Sequence, residues 1–113
     1  MINISNFEQE IDLLHRRVCY ALADPKRILI LYLLAEQGRF VNEIAEAMNI
    51  PQSTVSRHLR VLRERELVHA ERDGTTILYT LTDRRIIEVI DMMRAILSTQ
   101  LAADAGLIQS PSS

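Results

Sequence analysis

A mainly α fold with a small β-hairpin, in the order α-α-α-α-β-β-α, is predicted by three features of the 113-residue sequence. Apolar residues recur at helical spacing over most of its length. Two short amphipathic segments are separated only by the joint Asn49-Ile50-Pro51. Further on, Val68-His69-Ala70-Glu71-Arg72 and Ile77-Leu78-Tyr79-Thr80-Leu81 flank Asp73-Gly74-Thr75-Thr76, the pattern of two strands around a turn.

Each element has its own signal. Phe7, Ile11, Leu14, Val18, Ala21 and Leu22 fall on one helical face and predict a first helix ending near Ala23. Asp24-Pro25 reads as an N-cap followed by proline at the first helical position. The next helix, with Ile28, Leu29, Leu31, Tyr32, Leu33 and Leu34, is apolar nearly all round and should be the buried central one, closed by Gly38 as a C-terminal cap. Val41, Ile44, Ala45 and Met48 mark a third, short helix. Thr82-Asp83 caps a last helix with Ile86, Ile90, Met93, Leu97 and Leu101 on one side and Ile87, Val89, Met92 and Ile96 beside it. One side can cover the domain and the other needs a partner, which predicts a homodimer through the first and last helices. Residues 1–103 are expected to form the folded domain and 104–113 a polar C-terminal tail.

The fourth helix carries the chemistry. At about 100° per residue, Val55, Leu59 and Leu62 share a narrow sector facing a core, and Ser53, Arg57 and Arg60 point the opposite way. Thr54 and Ser56 lie on the flanks, His58 sits nearer the core edge, and Pro51 suits the first turn. From Ala47 to Arg63 there are three arginines and no acid. Hydroxyls and an amide followed by arginines suit base edges and phosphates. Preceded by a short helix and a tight turn, this is a recognition helix of the helix-turn-helix kind, and the following hairpin is a wing. The candidate DNA-binding residues are Gln52, Ser53, Thr54, Ser56, Arg57, His58, Arg60 and Arg63 on the helix, with Arg72, Gly74 and Thr75 in the wing. Asp73 is expected to shape the turn through its side chain.

Composition sets the bounds. With 48% apolar and 25% charged residues and a net charge of −2, the chain is ordinary for one soluble domain, so a nucleic-acid reading depends on where the charge sits. Acids gather at Glu8, Glu10, Asp12, Glu43 and Glu46, away from the arginine run. Cys19 is the single cysteine, which excludes an internal disulfide and favours a reducing compartment. No stretch is long and apolar enough for a membrane span and no leader is evident, so a cytoplasmic location is expected.

In this order of elements, and in the runs Ala21-Leu22-Ala23-Asp24-Pro25-Lys26-Arg27 and Gln52-Ser53-Thr54-Val55-Ser56-Arg57-His58-Leu59-Arg60-Val61-Leu62-Arg63, the chain resembles the ArsR/SmtB family of winged-helix repressors. The wing ending Ile77-Leu78-Tyr79-Thr80-Leu81 adds to the likeness, which covers about residues 10 to 101. The resemblance implies a homodimer on a double-stranded DNA operator, with two recognition helices in successive major grooves and release by an effector. The family's usual metal sites are missing. Arg39-Phe40-Val41-Asn42-Glu43-Ile44 stands where many members carry a Cys-x-Cys pair. Asp83 is kept from a second site, but Arg85, Ile96 and Thr99 stand where imidazole and carboxylate are needed. No cofactor is expected, and the effector should be an organic small molecule, a partner, or absent.

Two other readings stand beside this one. His15 and Cys19, four residues apart on the first helix, could join their symmetry mates in a tetrahedral metal site and make a metal-responsive repressor; the plainer reading is a surface histidine and a small core cysteine. A winged helix can also be a protein-protein interaction module, but the fourth helix then should show aromatic or aliphatic anchors in place of its polar and basic face. An enzyme is not expected, since no phosphate loop or nucleophile and base pair is present.

Overall fold

A computed structural model describes residues 3–109, with side-chain surroundings through residue 106. Helix α1 (Ile4–Leu14) runs into a π-helical segment (His15–Cys19) and is followed by α2 (Pro25–Glu36), α3 (Val41–Met48), α4 (Gln52–Glu64), strands β1 (Val68–Asp73) and β2 (Thr76–Leu81), and α5 (Arg85–Gln109). This is the mainly helical chain with one hairpin that the periodicities predict. It divides into two compact units, residues 1–83 and 84–113.

In the first unit, the Asn3 side chain caps α1 by accepting from the Asn6 N–H at 3.4 Å. The apolar face expected on this helix does not build a core: Phe7, Ile11 and Leu14 are exposed, and α1 buries no residue at all. Helical geometry stops at Ala21 rather than Ala23, after a segment in which the Tyr20 N–H donates to the His15 carbonyl five residues back. Such a π insertion leaves no mark in composition. Ala21 is fully buried.

The turn into α2 is held by charge. The Asp24 side chain accepts from the Lys26 N–H at 2.8 Å, and Pro25 occupies the first turn, where its missing N–H costs nothing. Arg27, only 8% exposed, donates from Nε to the Ala21 carbonyl at 2.8 Å and from Nη2 to the Tyr20 carbonyl at 2.9 Å. It thereby satisfies the Ala21 carbonyl at the end of the preceding helix and adds a second donor at the Tyr20 carbonyl, which also accepts from the Ala23 N–H at 3.2 Å.

Ile30, Leu31 and Leu34 of α2 form the core with Ile44 and Ala45 of α3, Val55, Leu59 and Leu62 of α4, and Val68 of β1. Each large aliphatic side chain buried here contributes about 1.5–3 kcal/mol. α2 is not buried all round, because Leu29 remains 55% exposed. Nor is Gly38 a left-handed cap. The Gln37 that ends α2 is extended (φ −170°, ψ 162°), and Gly38 is small for another reason. A Cβ there would lie 3.0 Å from Thr80 Cγ2 and 3.3 Å from both Leu78 Cδ1 and the Tyr79 carbonyl. The next residue exchanges two backbone hydrogen bonds with β2: the Arg39 N–H donates to the Tyr79 carbonyl at 3.0 Å, and the Tyr79 N–H to the Arg39 carbonyl at 2.9 Å.

β1 and β2 pair antiparallel from Val68 opposite Leu81 to Asp73 opposite Thr76. The intervening Gly74 has φ +66°, while Thr75 keeps a negative φ, as in a type II′ hairpin turn. Asp73 shapes this turn through its backbone carbonyl, which accepts from Thr76 Oγ1 at 2.8 Å, rather than through its carboxylate.

The second unit is α5, whose Val89, Met92, Met93, Ile96, Leu97 and Leu101 are exposed. Its helix continues to Gln109, so residues 104–109 are helical where a polar tail was expected, and 110–113 lie outside the described residues. Among the described residues, no helix is long and apolar enough to cross a membrane.

Candidate nucleic-acid interface

α3 and α4 are joined by Asn49, Ile50 and Pro51, and the chain reverses because Asn49 takes the left-handed conformation (φ 55°, ψ 48°) that asparagine tolerates better than most residues. Glu43 fixes the start of α3 by accepting from the Phe40 N–H at 2.9 Å. Pro51 falls at the N-cap of α4, one position earlier than expected, and supplies no side-chain hydrogen bond. Val55, Leu59 and Leu62 are fully buried, and this anchors the helix by the stripe its spacing predicts.

Anchoring that stripe turns Gln52, Ser53, Ser56, Arg57, Arg60 and Arg63 outward, all exposed, with Thr54 half-buried. His58 departs from the expected set. At 9% exposure it lies inside, near Asp24 and Arg27, because its position adjoins the Leu59 and Leu62 stripe. It presents no side chain at the outer surface. Burial pushes its pKa below the ordinary 6.5, outweighing the opposite pull of the Asp24 carboxylate, while the hydrogen bond from the Lys26 backbone holds Asp24 below its usual 3.8.

The electrostatics of the outer face separate it from the rest of the surface. Arg16, Arg17, Arg27, Arg39 and Arg94 are ion-paired with Asp12, Glu66, Asp24, Glu36 and Asp91. Arg65 donates to the Arg16 carbonyl at 2.9 Å. The side chains of Arg57, Arg60, Arg63 and Arg72 have no hydrogen bond or ion pair among the described residues, and all of them lie on α4 or in the wing. The Arg60–Glu64 pair that helical spacing allows is not formed. These guanidinium groups are always charged and are available to an outside anion.

The structure brings the start of α4 and the wing turn together. Gln52, Ser56 and Thr75 line one groove of about 460 Å³ with Asn42, Thr76 and Tyr79. Arg72 and Gly74 are exposed in the wing but are not in that lining. Asn42, Thr76 and Tyr79 were absent from the sequence-based set. Strand alternation carried the signal for Tyr79, which shares a face with the buried Val68. The arrangement offers hydroxyl, amide and guanidinium donors along one helix and the adjoining hairpin, the chemistry that binds phosphate oxygens and purine edges.

Phe40 and Asn42 offer no thiolate, Arg85 brings a cation, and Ile96 and Thr99 offer neither imidazole nor carboxylate. His15 and Cys19 are both exposed, and no group of three or more His, Cys, Asp and Glu side chains that could hold a metal occurs among the described residues.

Residues 24–70 match the family model described as bacterial regulatory protein, arsR family. The chain is 40% identical over 70 residues to the HTH-type transcriptional repressor SmtB of Mycobacterium tuberculosis, a match covering 62% of this chain and 52% of that protein. It thus spans about half the length of that relative. It is 39% identical over 74 residues to an HTH-type transcriptional regulator of Methanocaldococcus jannaschii, covering 65% of this chain and 83% of the relative. Its fold is similar to that of the homodimeric winged helix-turn-helix DNA-binding domain of a possible ArsR-family regulator from Mycobacterium bovis. The TM-score is 0.73 at 29% identity, over 89% of this chain and 91% of that one.

Proposed function

The chain belongs to the ArsR family of bacterial regulatory proteins, and from that premise we propose that it is a cytoplasmic, sequence-specific double-stranded DNA-binding transcriptional regulator, a repressor that occupies a palindromic operator as a homodimer and leaves it on binding an effector. The observation that carries this reading is the placement of the arginines whose side chains have no partner among the described residues: Arg57, Arg60 and Arg63 lie on α4 and Arg72 on the wing. A protein-docking face would show apolar anchors there, and α4 shows none. The role is binding rather than catalysis.

Dimerisation is supported by two apolar surfaces, Phe7, Ile11 and Leu14 on α1 and Val89, Met92, Ile96 and Leu101 on α5, all exposed in the single chain. A second copy covering them would place two recognition helices about one helical turn, or a multiple of it, apart on the duplex. Because the donor set for the family's metal sites is missing, the reading favours an organic small molecule, a protein partner or no effector at all over a metal ion. Wild-type protein should select a palindromic duplex from a random pool and bind it as a dimer, with affinity that falls steeply as salt rises. A monomer at micromolar concentration, or binding indifferent to salt, sinks the proposal.

A further inference from the structure

Tyr79 stands between two clefts. Besides the groove with Gln52 and Thr75, it lines a second opening of about 460 Å³ between α4 and β2, together with Ser56, Leu59, Arg60, Arg63 and Glu64. Its backbone is fixed on both sides: it pairs with Ala70 across the hairpin and exchanges two hydrogen bonds with Arg39. Its side chain shares a strand face with Val68, Ala70, Ile77 and Leu81, the residues at alternate register positions. Yet its hydroxyl has no hydrogen-bond partner among the described residues. A half-buried phenol held this firmly, beside guanidinium groups that also lack partners, is a preorganised donor without an internal acceptor.

We propose that this second cleft seats one phosphate of the DNA strand, with the Tyr79 hydroxyl donating to a phosphate oxygen alongside the Arg60 and Arg63 guanidinium groups. The inference rests on the DNA-binding reading above and adds to it a contact residue and a place for the backbone. The charge balance suits a monoanion: two arginines against the single carboxylate of Glu64 leave one net positive charge, and Glu64 forms no ion pair with Arg60 among the described residues. The position suits backbone rather than base, because the lining runs from Arg60 through Arg63 and Glu64 to Tyr79 of β2 and leaves out Gln52 and Arg57. Ser56 lines both openings and so stands between this phosphate and the groove at the wing turn.

The test compares Tyr79→Phe with Arg60→Ala on two probes, a duplex selected from a random pool by the wild-type protein and an unselected duplex of equal length. Tyr79→Phe strands no internal partner, so its melting temperature should match wild type. It should weaken binding to both duplexes by the same factor, about tenfold, the worth of a hydrogen bond to a charged group. It should leave the dependence of affinity on salt unchanged, since no charge is removed, whereas Arg60→Ala should lower that slope by about one. The two losses should combine to less than their product, because both act on one phosphate. Replacing phosphates one at a time by neutral methylphosphonates should reveal a linkage that matters to wild type and at which Tyr79→Phe costs nothing further. Unchanged affinity of Tyr79→Phe, a loss confined to one base position, or the lack of any such linkage overturns the Tyr79 site while leaving DNA binding intact. Failure of wild type to bind any duplex overturns the functional reading itself.

Discussion

The guanidinium of Arg65 lies 4.5 Å from the centre of the Tyr20 ring and donates from Nη1 to the Arg16 carbonyl at 2.9 Å, which fastens the end of the first helical segment to the end of α4. Arg27 reaches the same ring at 5.4 Å, and next door Arg17 pairs with Glu66 at 2.7 Å. α1 buries nothing of its own, and these polar contacts, with the buried Ala21, tie the end of the first helical segment to the winged body. The ring contact should therefore be measurable. In a double-mutant cycle, Tyr20→Leu and Arg65→Met should show a coupling of about 0.5–1 kcal/mol in urea unfolding. Additive losses would mean that the stacking adds nothing to stability.

Gly38 and Gly74 should respond to alanine for different reasons. At Gly38 a Cβ meets Thr80 Cγ2 at 3.0 Å, so Gly38→Ala should cost about 1–3 kcal/mol by overpacking. Thr80→Ser, which deletes that methyl, should recover part of the loss. At Gly74 the space is open but φ is +66°, so Gly74→Ala should cost about 1 kcal/mol through backbone strain, with no rescue from a neighbour. Equal behaviour toward Thr80→Ser would contradict the close approach of residue 38 to β2.

On the outer face of α4, we propose that Arg57 and Gln52 read base edges and that Arg60 holds phosphate. Arg57→Ala should cost about 1–3 kcal/mol of binding and relax the preference at one base position, while Arg60→Ala should weaken all sequences alike. In the wing, Arg72→Ala should lower affinity without altering the major-groove preference. Competition between selected and unselected duplexes distinguishes these outcomes, and an Arg57→Ala protein with unchanged preference would remove it from base readout.

The sequence made some of these residues legible and hid others for physical reasons. The α4 stripe of Val55, Leu59 and Leu62 was readable because a buried helical face imposes a period, and the hairpin because Gly74 stands between two β-rich runs. Phe7, Ile11 and Leu14 show the same period, but periodicity reports an apolar face and not what covers it. Gly38 looked like a helix cap, since a glycine after a helix has the same spelling whether it serves a left-handed turn or a close approach. The buried place of His58 depends on α2 and Asp24, which are distant in sequence. The roles of Arg27 and Arg65, donors to carbonyls of the first helical segment, are likewise tertiary and invisible to local patterns.

His58 should make stability sensitive to mild acid. In the folded protein burial holds its pKa below 6.5, whereas in the unfolded chain it titrates near that ordinary value. As pH falls through 6.5 the unfolded state takes up the proton first, so stability declines there and continues to decline until the depressed folded pKa is reached. Asp24 acts in a different window: its pKa is lowered from 3.8, so the stability it contributes is present above 3.8 and is lost only as pH falls through the lower folded value. Urea unfolding from about pH 7.5 to about pH 5.5 thus isolates the histidine. The wild-type midpoint should drop across this range, and His58→Leu, which keeps an apolar side chain in the buried site and removes the titration, should give a flatter profile. Parallel profiles for the two proteins would show that the proton is taken up elsewhere.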